Sequence, residues 1–101
     1  MTQTHSFHGD TATVALSGEL DSHSARDSLL YISNVVDLCL PRTLCLDLGQ
    51  LSFMDSSGLA VVLGAYRRMR EMDGTLRVRN VPAQPMKVFS AVRLDRLISF
   101  E

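Results

Sequence analysis

The sequence predicts an α/β fold: a small mixed β-sheet of four to five strands with helices packed on it. Two observations carry this expectation. Segments with a two-residue apolar period alternate with segments of helical period, and capping or chain-breaking residues fall at the junctions between them. A length of 101 residues, 46% of them apolar, is enough for one hydrophobic core and too short for two. There is no internal repeat, low-complexity tract or linker, so residues 1–101 read as a single domain.

Thr11 to Leu16 alternates Thr, Ala, Thr, Val, Ala, Leu, the pattern of a half-buried strand, with Gly18 as its end and a first strand before it. Asp21 or Ser22 then caps a helix through Asp37, in which Ala25, Leu29, Ile32 and Val36 recur at helical spacing and which Pro41 closes. Thr43 to Leu48 is a largely buried strand with Leu44, Leu46 and Leu48 on one face, and Asp47 is a strand-end acid bonded to backbone groups. A connecting segment, Gly49 to Met54, leads to the capping run Asp55, Ser56 and Ser57 and a helix reaching about Met72. Asp73 and Gly74 stop that helix, and Thr75 to Asn80 forms an alternating strand. Pro85 suits the first turn of a short helix carrying Met86, Val88, Phe89 and Val92, after which Leu97 to Phe100 makes a last strand.

Composition excludes several functions. Ten Lys and Arg against eleven Asp and Glu give a formal charge of -1, so nothing draws the chain to nucleic acid or to anionic lipid. The polar stretch Met1 to Asp10 is no signal peptide, and apolar runs such as Leu59 to Leu63 fall far short of the ~18 to 20 residues of a membrane span. These features point to a cytoplasmic protein without membrane insertion. Cys39 and Cys45 sit in apolar surroundings and read as buried, reduced thiols. His5, His8 and His23 are too scattered for a metal site, and without a Gly-rich loop ending in Lys there is no ATP site; no cofactor is expected.

The central helix has two faces of interest. Leu59, Val62, Leu63, Tyr66 and Met69 cluster on one side and are expected to bury against the sheet. The other side carries Ala60, Val61, Gly64, Arg68 and Met72, small or apolar residues where a solvated face would show several charges, and is expected to receive a partner.

The segment Leu51 to Tyr66, LSFMDSSGLAVVLGAY, sets a strand exit, a Ser pair and a partly apolar helix in succession. It resembles the phosphorylation motif of STAS domains in bacterial anti-sigma factor antagonists, where an Asp precedes the target Ser at the start of a helix. Ser56 falls on the target position. The resemblance continues through Ser17, Gly18, Glu19, Leu20 and Asp21, similar to the loop beside that site, and through Val81 to Leu97. Where many relatives carry a further terminal helix, this chain ends at Glu101.

The resemblance implies the STAS fold and a regulatory binding module, not an enzyme. Its partners are an anti-sigma factor that is also a serine kinase, and a serine phosphatase. The unphosphorylated form binds the anti-sigma factor and frees its sigma factor, and phosphorylation of Ser56 ends the binding. Asp21, Asp55, Ser57, Gly58, Val61, Gly64 and Arg68 are the residues expected to meet the partner. Competing readings stand beside this. Ser56 and Ser57 could be helix caps alone, and Arg67, Arg68 and Arg70 a solvated face. The same fold could be a docking subunit of a transporter or a stress-sensing complex. A serine hydrolase using Ser56 or Ser57 with His23 and Asp21 or Asp55 is weaker, since the G-x-S-x-G elbow is missing.

Overall fold

The computed structural model describes residues 1–101. Strands β1 (Thr2–His8) and β2 (Thr11–Leu20) form an antiparallel hairpin whose register runs from Thr2↔Ser17 to His8↔Thr11. Gly9, at φ 62, turns the chain between them, a conformation that costs glycine little. The chain continues through α1 (Ala25–Cys39), β3 (Thr43–Met54), α2 (Ser56–Glu71), β4 (Thr75–Arg79) and α3 (Ala83–Ala91). A short 3-10 turn, Leu94–Arg96, leads to β5 (Ser99–Phe100).

The strands lie in the order β1-β2-β3-β4-β5, and every pair after the hairpin is parallel. Parallel neighbours need a crossover, and each crossover here contains one helix. Right-handed crossovers that always step in the same direction place the helices on one face of the sheet. Accordingly α1 packs on α2, and α2 on α3. Under them lie Ala12, Val14 and Leu16 of β2, Leu44, Leu46 and Leu48 of β3, and Leu76 and Val78 of β4, all buried. The other face is open and polar. There Asp47 accepts from the Gly49 N–H at 3.0 Å and from Asn80 Nδ2 at 3.3 Å, and lies 3.7 Å from Arg79.

Several boundaries differ from expectation. Strand β2 does not end at Gly18, nor β3 at Leu48; the two stay paired to Leu20↔Met54. Register shifts between Ala15 and Ser17 and between Gly18 and Glu19, with Gly18 at φ 95, let the strands bend without parting. Helix α1 starts later than its capping residues suggested, because Asp21 to Ser24 forms a separate turn first. It ends on Leu40 in the left-handed conformation, φ 46, ahead of Pro41. The last strand keeps only Ser99 and Phe100, since the Leu97 and Ile98 N–H groups both donate back to the Leu94 carbonyl at 3.0 Å. Cys45 is buried as expected, while Cys39 is only half-buried.

The largest correction concerns the faces of α2. The side expected to be free, carrying Val61, Gly64 and Arg68, packs on α1. Val61 is 1% exposed, Gly64 stands against Leu29, and Arg68 pairs with Asp37 of α1. Residues 100° apart place Ser56, Ala60, Arg67, Arg70 and Glu71 on one stripe, and these five are the exposed ones. The helix is thus rotated by about a quarter turn from the sequence reading. A helix wedged between a sheet and a neighbouring helix buries a wider arc than the sheet alone requires, and small residues on that side let the two helices approach.

Candidate functional site

Strands β2 and β3 end side by side, and the Asp55 N–H donates to the Leu20 carbonyl at 3.2 Å. Asp55 then leaves the strand with extended backbone, φ -109 and ψ -167, and its Oδ1 accepts from the Ser57 N–H at 2.8 Å. This is the side-chain cap that a helix start needs for its unpaired donors. Ser56 is the first residue of α2 and is exposed, and its hydroxyl takes no part in a hydrogen bond within the chain. Ser57 is half-buried.

Gly58 is buried under the strand end. A Cβ there would stand 2.6 Å from Met54 Sδ and 3.2 Å from Leu20 Cδ2, so glycine is what allows α2 to start directly over β3. Its place is internal, and the expectation that it meets a partner fails on that ground.

Asp21 begins the turn at the end of β2. Its Oδ1 accepts from the His23 N–H at 2.9 Å and the Ser24 N–H at 3.3 Å, while the Asp21 N–H donates to Ser24 Oγ at 3.1 Å. The His23 N–H lowers the Asp21 pKa most; the Ser24 N–H and the His23 side chain also lower it, against a partial desolvation that raises it. A polar depression beside this turn is lined by Gln3, Glu19, Asp21, His23, Asp27 and Ser52, and does not include Ser56.

Of the expected site residues, Asp21, Asp55, Ser56 and Ser57 therefore meet at one end of the sheet, the carboxyl ends of adjacent parallel strands where ligands of open α/β folds bind. Val61, Gly64 and Gly58 are used in internal packing, and Arg68 is held by Asp37. A serine hydrolase arrangement is not assembled: the His23 side chain is 93% exposed and lies beside Asp21, and no His is hydrogen-bonded to Ser56 or Ser57.

Two residues beside the site escaped the sequence reading. Phe53, 41% exposed, lies just before Asp55 in the part of β3, Gly49 to Met54, that the sequence pattern presents as a connection. Gln84 of α3 is hydrogen-bonded to the backbone of Met54, a contact across 30 residues that no local pattern announces.

Comparison with known proteins extends these findings. The family model described as "Mlab, STAS domain" matches residues 4–99. The anti-sigma F factor antagonist of Paenibacillus polymyxa is 35% identical over 74 residues, which make up 73% of this chain and 63% of that protein, just under two thirds of its length. The anti-sigma F factor antagonist of Lysinibacillus sphaericus is 35% identical over 80 residues, 79% of this chain and 68% of the relative. The anti-sigma-B factor antagonist of Bacillus subtilis is 29% identical over 89 residues, 84% and 76% of the two chains. Among solved structures, the anti-sigma factor antagonist SpoIIAA in its unphosphorylated form gives a TM-score of 0.84 at 28% identity, covering 99% of this chain and 88% of SpoIIAA. Its phosphorylated form, from Bacillus, gives 0.76 at 28% identity, covering 99% and 91%. The sequential five-stranded sheet, the capped serine at its end and these matches together make the chain a member of the STAS domain family, of the anti-sigma factor antagonist type.

Proposed function

We propose that the unphosphorylated protein binds an anti-sigma factor that is a serine kinase and so frees its sigma factor, and that phosphate on Ser56 ends this binding until a serine phosphatase removes it. One observation carries the reading: Asp55 caps α2, which leaves the Ser56 hydroxyl exposed and without structural duty. A serine spent as a cap would surrender a backbone hydrogen bond on modification, and Ser56 surrenders none.

The phosphate would add about −1.5 to −2 charges next to the Asp55 carboxylate. In the free domain the amino terminus of a 16-residue helix tolerates it, since unpaired N–H groups and the helix dipole favour an anion there. Against a docked partner the same charge must be desolvated beside a carboxylate, which opposes association. The switch is thus a local electrostatic block on an unchanged fold. That both forms of SpoIIAA match this chain over 99% of its length supports that view.

The docking face follows from the corrected orientation of α2. It consists of Ser56, Ala60 and Arg67 along the exposed stripe, with Asp21, Asp55 and Ser57 at its head. No helix is long and apolar enough to cross a membrane.

Incubation with ATP and an anti-sigma factor serine kinase, followed by peptide mass spectrometry, tests the assignment. One phosphate on Ser56 is expected. Modification of Ser57 in its place, with Ser56 unmodified, would overturn it.

A further inference from the structure

Strand β3 runs well past its neighbour on one side. Strand β4 pairs with it only from Thr43↔Thr75 to Asp47↔Arg79, whereas β3 continues to Met54. On its other side it stays paired with β2 as far as Leu20↔Met54. The backbone at the end of β3 therefore has a strand on one edge only, in the residue pair that precedes the capping Asp55 and Ser56. A buried backbone polar group without a partner is costly, and a strand end held on one edge frays.

Gln84 occupies the vacant edge. Its Oε1 accepts from the Met54 N–H at 2.9 Å, and its Nε2 donates to the Met54 carbonyl at 2.7 Å. A carboxamide offers an acceptor and a donor side by side, as a peptide group does, so one side chain stands in for a missing strand; only one orientation of the amide satisfies both bonds. The anchor of this side chain is itself fixed. Pro82 precedes α3 with φ -65, and Pro85, directly after Gln84, is buried in the first turn, where its lack of an N–H costs nothing.

Met54 is thereby held from three directions. Leu20 is its register partner on one edge, Gln84 bonds its backbone on the other, and its fully buried side chain lies under Gly58 of α2. Two residues further on stands Ser56. We propose that Gln84 is a positioning residue for phosphorylation: by clamping the Met54 backbone it fixes the direction in which the Ser56 hydroxyl leaves the sheet. This rests on the reading of Ser56 as the phosphoacceptor. In the transfer, Ser56 Oγ forms a bond to the γ-phosphorus of ATP as the bond to the ADP oxygen breaks, and the hydroxyl proton passes to a base on the kinase. In-line attack of this kind depends steeply on the placement of the nucleophile.

Two variants test the clamp. Gln84→Met keeps the length of the side chain and removes both hydrogen bonds, while Gln84→Glu keeps the acceptor and removes the donor. Amide hydrogen exchange by NMR is read at Met54 and, as a control for the intact sheet, at Leu46; steady-state phosphorylation is measured with an anti-sigma factor kinase that modifies the unsubstituted protein. For Gln84→Met we expect Met54 exchange to quicken and kcat to fall, each by about tenfold, with Leu46 protection kept and KM within about twofold. Gln84→Glu should fall between. Loss of Met54 protection with an unchanged kcat would overturn the inference, as would Met54 protection that survives both substitutions. If Gln84→Met loses Leu46 protection as well, Gln84→Glu decides on the same criteria. An unsubstituted protein that takes no phosphate on Ser56 from any anti-sigma factor kinase is a different failure, and it removes the parent reading together with this one.

Discussion

Leu29 of α1 fills the space that Gly64 of α2 leaves empty: a Cβ on Gly64 would stand 2.9 Å from Leu29 Cδ1 and 3.3 Å from Cδ2. Glycine in mid-helix costs roughly 1 kcal/mol of helix propensity relative to alanine, and the close approach of the two helices is what offsets it. Gly64→Ala should leave stability within about 1 kcal/mol of the unsubstituted protein, because the propensity gained balances a small shift of a flexible leucine methyl. Gly64→Gln cannot be absorbed in that way. It should destabilise by roughly 1 to 3 kcal/mol in chemical denaturation, through overpacking of the α1–α2 contact. A Gln variant as stable as the parent would return Gly64 to the exposed face on which the sequence had placed it.

Asp21 makes acid stability a test of the turn before α1. Its folded-state pKa lies below the ordinary value, chiefly through the His23 N–H. A depressed carboxylate contributes stability above its unfolded pKa of ~3.9 and loses that contribution as pH falls through the folded value. Asp21→Asn should therefore be less stable than the parent at neutral pH, with the gap closing as pH drops below ~3.9. Denaturant midpoints measured across that range check the sign; a gap that widened in acid would contradict it.

How far these features could be read in the sequence depended on their range. The order of strands and helices was legible because each carries its own period, and Asp55 was legible as a cap because capping is a contact between near neighbours. The length of β2 and β3 was not, since Gly18 looks like a stop and only pairing with the adjacent strand shows that it is a bend. The free side of α2 was misjudged for a similar reason. Small residues at Ala60 and Gly64 are consistent with a partner from outside or from inside the domain, and α1, the actual neighbour of Gly64, is distant in sequence. Gln84 was invisible because its partner is a backbone group 30 residues away.

The two thiols should differ in reactivity. Cys45 is 5% exposed and its pKa is raised, first by burial, while Cys39 is half-buried near the end of α1. The thiolate is the nucleophile, so a raised pKa together with poor access slows alkylation. Iodoacetamide near neutral pH should modify Cys39 at least about tenfold faster than Cys45 under native conditions. Mass spectrometry of the digested protein reads the ratio, and faster labelling of Cys45 would mean that the centre of the sheet opens more readily than its packing implies.

The central claim is that charge on Ser56 controls association with the anti-sigma factor. Its most direct measurement is calorimetric titration of that anti-sigma factor with four forms of the protein: unphosphorylated, phosphorylated on Ser56, Ser56→Ala and Ser56→Asp. The unphosphorylated and Ala forms should bind alike. The phosphorylated form should bind about a hundredfold more weakly or worse, close to 3 kcal/mol or more, and Asp, with one negative charge, should fall between. Equal affinity of the phosphorylated and unphosphorylated forms would contradict the account.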